Sequence, residues 1–359
     1  MFQRLEIADH KRALPLLEGR DHLLLLEAVL SGTAPGYAYV DDSARPRALF
    51  ASGPEGHYLL GDPEADGFSD ALANYIRDEL LPGARDKDWA EITLYYEPAW
   101  ADCIEALLPK QPLVFSRQRY FQFGGRLPDW RATLPDDIVA TSIDAALLAR
   151  EDLRNRKWME DFCTSDYADL DAFVTYGFGM CLVQDNAVLS WCTSDCVVGD
   201  RAEVGIATMP QQRRQGYGGA VAAATIEEAQ RRGISEIGWH CWEQNLASAA
   251  TALKAGFVER YSHEAVFLWL NPVDSLLVRA NLSLMAGDHA AASESYRQAF
   301  ELWTATREEA TPTLLATRAS QATYRYQAAC AAALAGDVDG SREQLEAAWA
   351  YGGYRQGGA

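Results

Sequence analysis

An α/β (α+β) fold that ends in an all-α helical segment is the fold class that the sequence predicts. Strand-like and helix-like stretches alternate through the first two thirds of the chain. The turn pairs Asp185-Asn186 and Gly199-Asp200 separate three successive strand-like stretches, as in an antiparallel meander. After Asn271-Pro272 the chain is rich in alanine and its apolar residues keep a helical period. We therefore expect a mixed, largely antiparallel sheet followed by helices.

The first region, residues 1–125, is expected to be an α/β domain. Leucines at helical spacing cover residues 14–29, and Gly124-Gly125 ends the region. Strand-like stretches alternate with helix-like ones between these points: strands at 48–51, 57–61, 91–96 and 119–123, and helices at 69–81 and 99–108.

The second region, residues 126–270, contains a longer series of the same kind. Strands are expected at 137–141, 180–183, 188–198, 202–209, 237–242 and 257–270, and helices at 145–162, 170–176, 220–232 and 246–255. The first region repeats the order of elements around residues 215–219, but its own loop between Gly61 and Ser69 is acidic. We therefore expect the first region to be a degenerate copy of the second.

The third region, residues 271–359, is expected to consist of helix–turn–helix units. The stretch Leu284-Met285-Ala286-Gly287-Asp288 is matched by Leu334-Ala335-Gly336-Asp337, and a helical pattern follows each. These units resemble tetratricopeptide (TPR) repeats, although that family has a period of about 34 residues and the two glycines here are 336 − 287 = 49 residues apart. Two units with an enlarged helix between them are predicted.

Composition excludes several functional classes. The 359 residues include 32 Lys and Arg against 51 Asp and Glu, a formal net charge of −19. General binding to nucleic acid or to an anionic membrane draws its affinity from basic side chains, so neither is expected. Nor does any apolar stretch approach the roughly 20 residues that span a bilayer.

The seven cysteines are scattered and odd in number, which indicates reduced thiols in a cytoplasmic protein. Cys192 and Cys196 lie four residues apart in one strand, so we expect them on one sheet face as core residues. The six histidines form no pair that would complete a zinc site, and no metal is expected. The N-terminal residues lack the pattern of a signal peptide, which also favours the cytoplasm.

The stretch that indicates chemistry runs from Glu203 to Gly219, a strand that leads through a glycine-rich loop into a helix. Backbone N–H groups of such a loop can turn toward one point, and the helix start adds its positive dipole end, so an anion such as a diphosphate is favoured. The loop lacks the Gly-Lys-Ser/Thr of a P-loop. Val221 stands where a dinucleotide-binding fingerprint needs its third glycine.

The spacing Arg213-x-x-Gly216-x-Gly218 resembles the acetyl-coenzyme A (acetyl-CoA) motif of the GCN5-related N-acetyltransferases (GNAT), Arg/Gln-x-x-Gly-x-Gly/Ala. Asn245, Ser248 and Gly256-Phe257 follow the family's downstream pattern Asn-x-x-Ser/Ala…Gly-Phe. The resemblance covers residues 137–270 and implies a GNAT fold. The stretches Gly177–Leu182, Glu203–Ile206 and Trp239–Trp242 resemble a branch that includes resistance-type acetyltransferases.

The resemblance implies a set of residues that hold acetyl-CoA. The pyrophosphate would be bound by the backbone amides of Gln215, Gly216, Tyr217, Gly218 and Gly219. Arg213, which fits the motif position, or Arg214 would add charge at its edge. The pantetheine arm would pair with the backbone of Ile206 and Thr208. Asn245 would support the pantetheine end and cap the next helix, with Ser248 on that helix's first turn.

Acetyl transfer to an amine needs a base, a partner for the oxyanion and an acid for the departing thiolate. Glu203 is our first choice for the base, and His240 is the second because its ordinary pKa lies near neutrality. Family members often supply the acid as a Tyr seven residues after the helix Asn, where this sequence has Ala252. Candidates for the acid are Tyr217, Tyr261, Ser248, Cys241 and water.

We therefore predict an N-acetyltransferase that moves an acetyl group from acetyl-CoA directly to a primary amine of a small, cationic metabolite or antibiotic. The first region would supply part of the acceptor pocket, and the acidic surface would concentrate cations. The alternative is a non-catalytic acyl-CoA-binding or scaffold protein whose helical tail binds a protein partner. The tail is also a candidate for self-association. The acceptor, the acyl chain length and the oligomeric state are not determined by the sequence.

Overall fold

Residues 2–306 and 311–351 are described by the structure, a computed structural model of the chain. The predicted outer ends of the first and third regions, Met1 and Ala359, lie outside these residues. The strands are β1 (Gln3–Arg4), β2 (Tyr37–Val40), β3 (Ala48–Gly53), β4 (Gly56–Gly61), β5 (Glu91–Tyr96), β6 (Val114–Phe123), β7 (Val139–Ser142), β8 (Gly179–Gln184), β9 (Ala187–Val198), β10 (Arg201–Thr208), β11 (Glu236–Trp242) and β12 (Phe257–Trp269).

The α-helices alternate with these strands and then continue alone. They are α1 (Leu24–Ser31), α2 (Phe68–Tyr75), α3 (Leu81–Asp86), α4 (Ile104–Leu107), α5 (Ala145–Leu148), α6 (Arg156–Cys163), α7 (Leu170–Tyr176), α8 (Tyr217–Arg231), α9 (Leu246–Lys254), α10 (Pro272–Met285), α11 (His289–Thr306), α12 (Arg318–Leu334) and α13 (Val338–Ala350). A 3₁₀ helix, Ile7–Leu17, precedes α1, and a π turn, Ile76–Leu80, joins α2 to α3. The predicted α/β fold with a helical end is confirmed.

One predicted helix, 145–162, is interrupted. Asn155 adopts a left-handed conformation with φ of 63° immediately before α6. Its side-chain nitrogen donates a hydrogen bond of 2.9 Å to the Val188 carbonyl, which ties the break to β9. Helical spacing alone does not indicate such a break, because its partner lies 33 residues away.

The chain divides into two compact units. The first contains residues 1–72, 94–104 and 116–265, and the second contains residues 73–93, 105–115 and 266–359. Both units are discontinuous in sequence, so their limits differ from the predicted regions 1–125, 126–270 and 271–359. That three-domain division stays a prediction.

The described residues form one sheet of twelve strands in the order β1-β2-β3-β4-β5-β12-β6-β11-β10-β9-β8-β7. Each half of the sheet contains an antiparallel meander, β2-β3-β4 or β8-β9-β10. A parallel partner follows each meander, β5 beside β4 and β11 beside β10. The two halves thus share a strand order, as the sequence predicts.

The two central strands are exchanged between the halves. β6, from the first half of the chain, pairs antiparallel with β11 and places Tyr120 opposite His240. β12, from the second half, lies next to β5. Side chains from residues 114–123 therefore lie beside the strands that follow the glycine-rich loop.

A β-bulge in β9 corrects one prediction. Glu203 of β10 pairs with Cys196, whereas the next residue, Val204, pairs with Ser194, so that Asp195 is an extra residue. An extra residue reverses the alternation of side chains along a strand. Cys192 lies in the core with α8, and Cys196 packs instead with Leu24, Leu25 and Ala28 of α1. The two cysteines do not share an environment.

The second unit carries the four C-terminal helices. α10 packs on α11 and α12 packs on α13, and Gly287 and Gly336 end the first helix of each pair with positive φ. The core of these helices contains Tyr296, Phe300 and Trp303. Two helical pairs agree with the predicted units, but their TPR-like character stays a prediction. None of the described helices is both long and apolar enough to cross a membrane.

Candidate active site

The glycine-rich loop leads from the end of β10 to the start of α8. Arg214 and Gly216 both have left-handed backbones, with φ of 64° and 89°. Left-handed residues at such a turn direct neighbouring N–H groups toward one side. No side chain among the described residues caps α8, which begins at Tyr217 directly after Gly216. The first N–H groups of a 15-residue helix are therefore available to an anion.

A cleft of about 660 Å³ opens at this helix start. All the residues that the sequence predicts for acetyl-CoA line it except Gln215: Ile206, Thr208, Arg213, Arg214, Gly216, Tyr217, Gly218, Gly219, Asn245 and Ser248. The predicted role of Gln215 is that of its backbone amide, whereas its side-chain amide donates to the carbonyl of Gln211 and to Gln212 Oε1, at 3.4 and 3.1 Å.

Polar side chains hold the walls of the cleft in place. Arg213 Nε donates to the Thr208 carbonyl at 3.3 Å. Asn245 caps α9, because its Oδ1 accepts the N–H of Ser248 at 3.1 Å. The Ser248 hydroxyl in turn accepts the indole N–H of Trp239 at 3.0 Å.

Sequence reasoning missed the part of the cleft that α9 forms further along. Ala247, Thr251 and Lys254 also line the cleft. Thr251 lies three residues after Ser248, and Lys254 three residues after Thr251, which is the spacing of one helix face and a signal that was available in the sequence. Lys254 adds a positive side chain to those of Arg213 and Arg214.

The strands β10 and β11 separate beside the cleft. They pair from Arg201 to Glu203 on β10, opposite residues 236–238 of β11. Beyond Glu203, the ladders of the described residues join β10 to β9, and β11 to β6. The backbone edge of β10 at Ile206 and Thr208 therefore faces a gap. An extended ligand can pair with such an edge.

Glu203 and His240 meet where the two strands separate. His240 Nδ1 lies 3.4 Å from Glu203 Oε2, and the two side chains are only 8% and 4% exposed. Glu203 Oε1 and both ring nitrogens of His240 have no hydrogen-bond partner among the described residues. Burial lowers the pKa of His240, but the negative charges of Glu203 and Glu55 outweigh burial and raise its pKa overall. The two carboxylates thus favour the protonated form of the imidazole.

The candidates for the acid lie in different places. Tyr217 lines the cleft at the start of α8 and is 7% exposed. Cys241 is buried in the core beneath α8, and Ser248 is bonded to Trp239. Tyr261 packs instead near His240, through the ring of Tyr120. Ala252 is fully buried.

A cluster of rings around His240 was not predicted. Tyr120 lies 4.9 Å from His240, and His263 lies 5.5 Å from it, measured between ring centroids. His22 lies 5.4 Å from His263. Burial, together with the positive charge of His240, lowers the pKa of His22 to about 3 and that of His263 to about 2. Three of the six histidines therefore converge, with His240 favoured as the charged one.

An aromatic cavity of about 320 Å³ lies beside this ring cluster. Its walls include Tyr58, Tyr95, Tyr96, Tyr261, His22 and His263. Residues from both halves of the chain thus form one cavity next to the Glu203–His240 pair.

The first half of the sheet has a different arrangement at the corresponding place. Glu97, which follows β5, accepts the N–H of Gly61 at 2.7 Å and forms an ion pair with Arg20. A carboxylate at this position repels a phosphate. The observed contact agrees with the expectation of a degenerate copy.

No group of three or more His, Cys, Asp or Glu in residues 2–306 and 311–351 is arranged to hold a metal ion. The seven cysteines are present as free thiols.

Comparisons with known proteins identify relatives. A family model described as GNAT acetyltransferase matches residues 14–266. An uncharacterized N-acetyltransferase of Bacillus subtilis, YdfB, is 28% identical over 231 residues, which is 64% of this chain and 84% of YdfB.

Solved structures share the fold. A GCN5-related N-acetyltransferase-like protein from Streptococcus suis has a TM-score of 0.55 at 22% identity, over 74% of this chain and all of that one. A GCN5-related N-acetyltransferase from Sphaerobacter thermophilus has a TM-score of 0.50 at 12% identity, over 76% of this chain and 96% of that one.

Proposed function

The chain belongs to the GNAT acetyltransferase family, and on that premise we propose that it transfers an acetyl group from acetyl-CoA directly to a primary amine of a small, cationic metabolite or antibiotic. The observation that carries the proposal is the position of a buried Glu203–His240 pair where β10 and β11 separate, on the strand that leads into the anion-binding loop.

The cleft fits the anionic coenzyme. The uncapped start of α8 offers backbone N–H groups, and three basic side chains, Arg213, Arg214 and Lys254, line the walls. The separated edge of β10 offers the backbone of Ile206 and Thr208 to an extended arm. These groups attract an anion locally, although the whole chain has a net charge of −19. Acetyl-CoA, when bound there, supplies the acetyl group.

The Glu203–His240 pair can move protons. The carboxylate of Glu203 is the proposed base that accepts the proton of the acceptor's ammonium group. His240, whose protonated form Glu203 favours, is the proposed donor of a proton to the departing group. Burial of both side chains excludes water, which strengthens their electrostatic effect. Tyr217 is the second candidate for the donor.

The first half of the chain contributes to the acceptor side in this proposal. Tyr120 from β6 and His22 from the segment before α1 lie around His240 and His263. The helical tail is proposed to be TPR-like and to bind a protein partner or a second copy of the chain. Free thiols agree with the proposed cytoplasmic location.

A second candidate function is favoured by one residue. Ala252 is fully buried where many family members have the Tyr that acts as acid. A chain without that acid would bind acyl-CoA as a sensor or scaffold and transfer nothing.

Titration calorimetry with acetyl-CoA, followed by thiol release with a panel of primary amines, separates the two functions. Acetyltransferase activity requires both binding and amine-dependent thiol release. Binding without release on any amine favours the scaffold.

The variant Gly218→Asp tests the coenzyme site itself. A Cβ at Gly218 makes ordinary contacts of 3.4–3.6 Å, and an Asp near a helix start favours the helix, so the fold is expected to persist. Its negative charge beside the pyrophosphate should abolish CoA binding. Gly218→Ala is the matched control, adding bulk without charge, and should bind. Retained affinity in Gly218→Asp would place the coenzyme elsewhere.

A further inference from the structure

Three further carboxyl groups interact electrostatically with Glu203. Glu55 lies at the tip of the β3–β4 hairpin, between the paired residues Gly53 and Gly56. Asp166 lies in the segment between α6 and α7, and Asp195 is the bulged residue of β9. We call Glu55, Asp166 and Asp195 the acidic triad. Its members come from three separate parts of the chain.

Asp195 owes its position to the bulge. As the extra residue it has no direct partner on β10. Its carboxylate lies over Gly205, where a Cβ would be 2.5 Å from Asp195 Oδ1. Only a residue without a side chain leaves room for this carboxylate, which thus lies two residues along β10 from Glu203.

Asp166 is held beside Asp195 by its neighbours. The Tyr167 hydroxyl forms a hydrogen bond of 3.0 Å with the hydroxyl of Ser194, the residue before Asp195. Ser165 Oγ donates to Asp166 Oδ2 at 2.7 Å. The segment that carries Asp166 is therefore fixed against β9 next to the bulge.

Burial and the neighbouring carboxylates favour the neutral, protonated forms of the acidic triad. Burial raises the pKa of Glu55 to about 7, and the charges of Glu203 and Asp166 contribute to that rise. Burial raises the pKa of Asp195 well above its usual range, and Asp166, Glu55 and Glu203 add to this. The pKa of Asp166 is raised by burial and by Glu203. A cation that entered would favour the ionised form of all three.

An unpartnered polar atom provides a second, independent observation. Glu203 Oε1 lacks a hydrogen-bond partner in the described part of the chain, although the Glu203 side chain is only 4% exposed. Buried polar atoms are normally paired, so a missing partner at this position points to a ligand. The described residues offer no metal-ligand arrangement here. An organic cation supplies an N–H donor for this carboxylate oxygen and positive charge for the acidic triad.

We propose that the acidic triad binds a second cationic group of the acceptor, so that the substrate is a diamine or polyamine whose other amino group faces Glu203. The inference rests on the proposed acetyl transfer and specifies its substrate class. Binding of the second ammonium draws the triad into its ionised form, and the carboxyl protons leave to solvent.

The kinetic test compares 1-aminobutane with 1,4-diaminobutane as acceptors. The kcat/KM for the diamine should exceed that for the monoamine at least about tenfold, the effect of one charged hydrogen bond. In Glu55→Gln and Asp166→Asn the ratio should fall toward one. Asp171→Asn, an exposed carboxylate on α7, is the matched control and should keep the wild-type ratio. Equal kcat/KM values in the wild type, or an unchanged ratio in both triad variants, would overturn the subsite while acetyl transfer stands.

A binding measurement keeps the proposal testable without turnover. Titration of the CoA-loaded protein with 1,4-diaminobutane at pH 7, in phosphate and in HEPES, measures protons released from the difference in heats. The diamine should release more protons than 1-aminobutane, and Glu55→Gln should reduce that release. Absence of diamine binding, or binding without proton release, would overturn the subsite. Failure of acetyl transfer with intact diamine binding would instead count against the proposed function.

Discussion

His240 Nδ1 and Glu203 Oε2 face each other at 3.4 Å across two strands that separate at this point. Gly238 makes the approach possible. A Cβ there would lie 3.0 Å from Glu203 Cγ and equally close to the ring of Tyr120. The pair is therefore specified by three strands, β10, β11 and β6.

Glu203→Gln should lower kcat by about 10²- to 10⁴-fold, the usual contribution of a positioned base. The amide keeps the size of the side chain but cannot accept the ammonium proton. Affinity for acetyl-CoA, measured by calorimetry, should be unchanged because Glu203 does not line the cleft. A kcat within twofold of the wild type would remove Glu203 from the base role.

The titration of His240 should depend on Glu203. Burial alone would lower the pKa of His240, but Glu203 and Glu55 raise it above the ordinary 6.5. In Glu203→Gln the burial effect remains and one negative charge is lost, so the pKa should fall. NMR titration of the imidazole measures both values directly, and the basic limb of the kcat profile should move with them. An unchanged pKa would mean that the two side chains do not interact in solution.

The raised pKa of His240 also makes the stability of the folded protein depend on pH. Because the folded protein binds the His240 proton more tightly than the unfolded chain does, this contribution to the free energy of unfolding is complete below pH 6.5. It is lost as the pH rises through the folded pKa. Denaturant unfolding from pH 6 to 9 should show a smaller loss in Glu203→Gln than in the wild type.

Gly216→Ala should weaken coenzyme binding through the backbone. Gly216 has φ of 89° directly before α8, a conformation that costs an L-residue about 1 kcal/mol or more. Gly199→Ala is the matched control, because Gly199 has φ of 64° in the β9–β10 turn and open space around it. Both variants should unfold at lower denaturant, but only Gly216→Ala should bind CoA more weakly. Equal CoA affinities in the two variants would contradict the role of the loop geometry.

Asn245→Ala should cost about 1 kcal/mol of stability through loss of the α9 cap. Asn245→Asp retains the acceptor for the Ser248 N–H, so its free energy of unfolding should stay near the wild-type value. Its added negative charge at the cleft should still raise the KM for acetyl-CoA. A stable Asn245→Ala protein would show that the cap is unimportant.

The glycine-rich loop between β10 and α8 could be predicted from sequence because it is local. Residues 203–219 specify a strand, a left-handed turn and a helix start by their own conformational preferences, and the cleft forms around them. The helix cap formed by Asn245 and Ser248 could be predicted for the same reason, since a cap and its partner lie three residues apart.

The surroundings of the Glu203–His240 pair could not be predicted, because they depend on distant parts of the chain. Tyr120 reaches His240 only through the exchange of β6, across 120 residues of sequence. Glu55 comes from a hairpin of the first half. The β9 bulge makes Asp195 an extra residue and reverses the alternation of side chains, which is why the predicted position of Cys196 was wrong. Periodicity cannot indicate a bulge, since one extra residue leaves the hydrophobic pattern nearly unchanged.

Initial rates with acetyl-CoA and 1,4-diaminobutane both varied provide the most direct test of the central claim, direct acetyl transfer to an amine at the Glu203–His240 pair. Double-reciprocal plots of thiol release should give intersecting lines, with an acetylated amine in the product and loss of rate in Glu203→Gln. Parallel lines would indicate an acetylated enzyme instead of direct transfer. Thiol release that does not depend on the amine, or is unaffected by Glu203→Gln, would contradict the account.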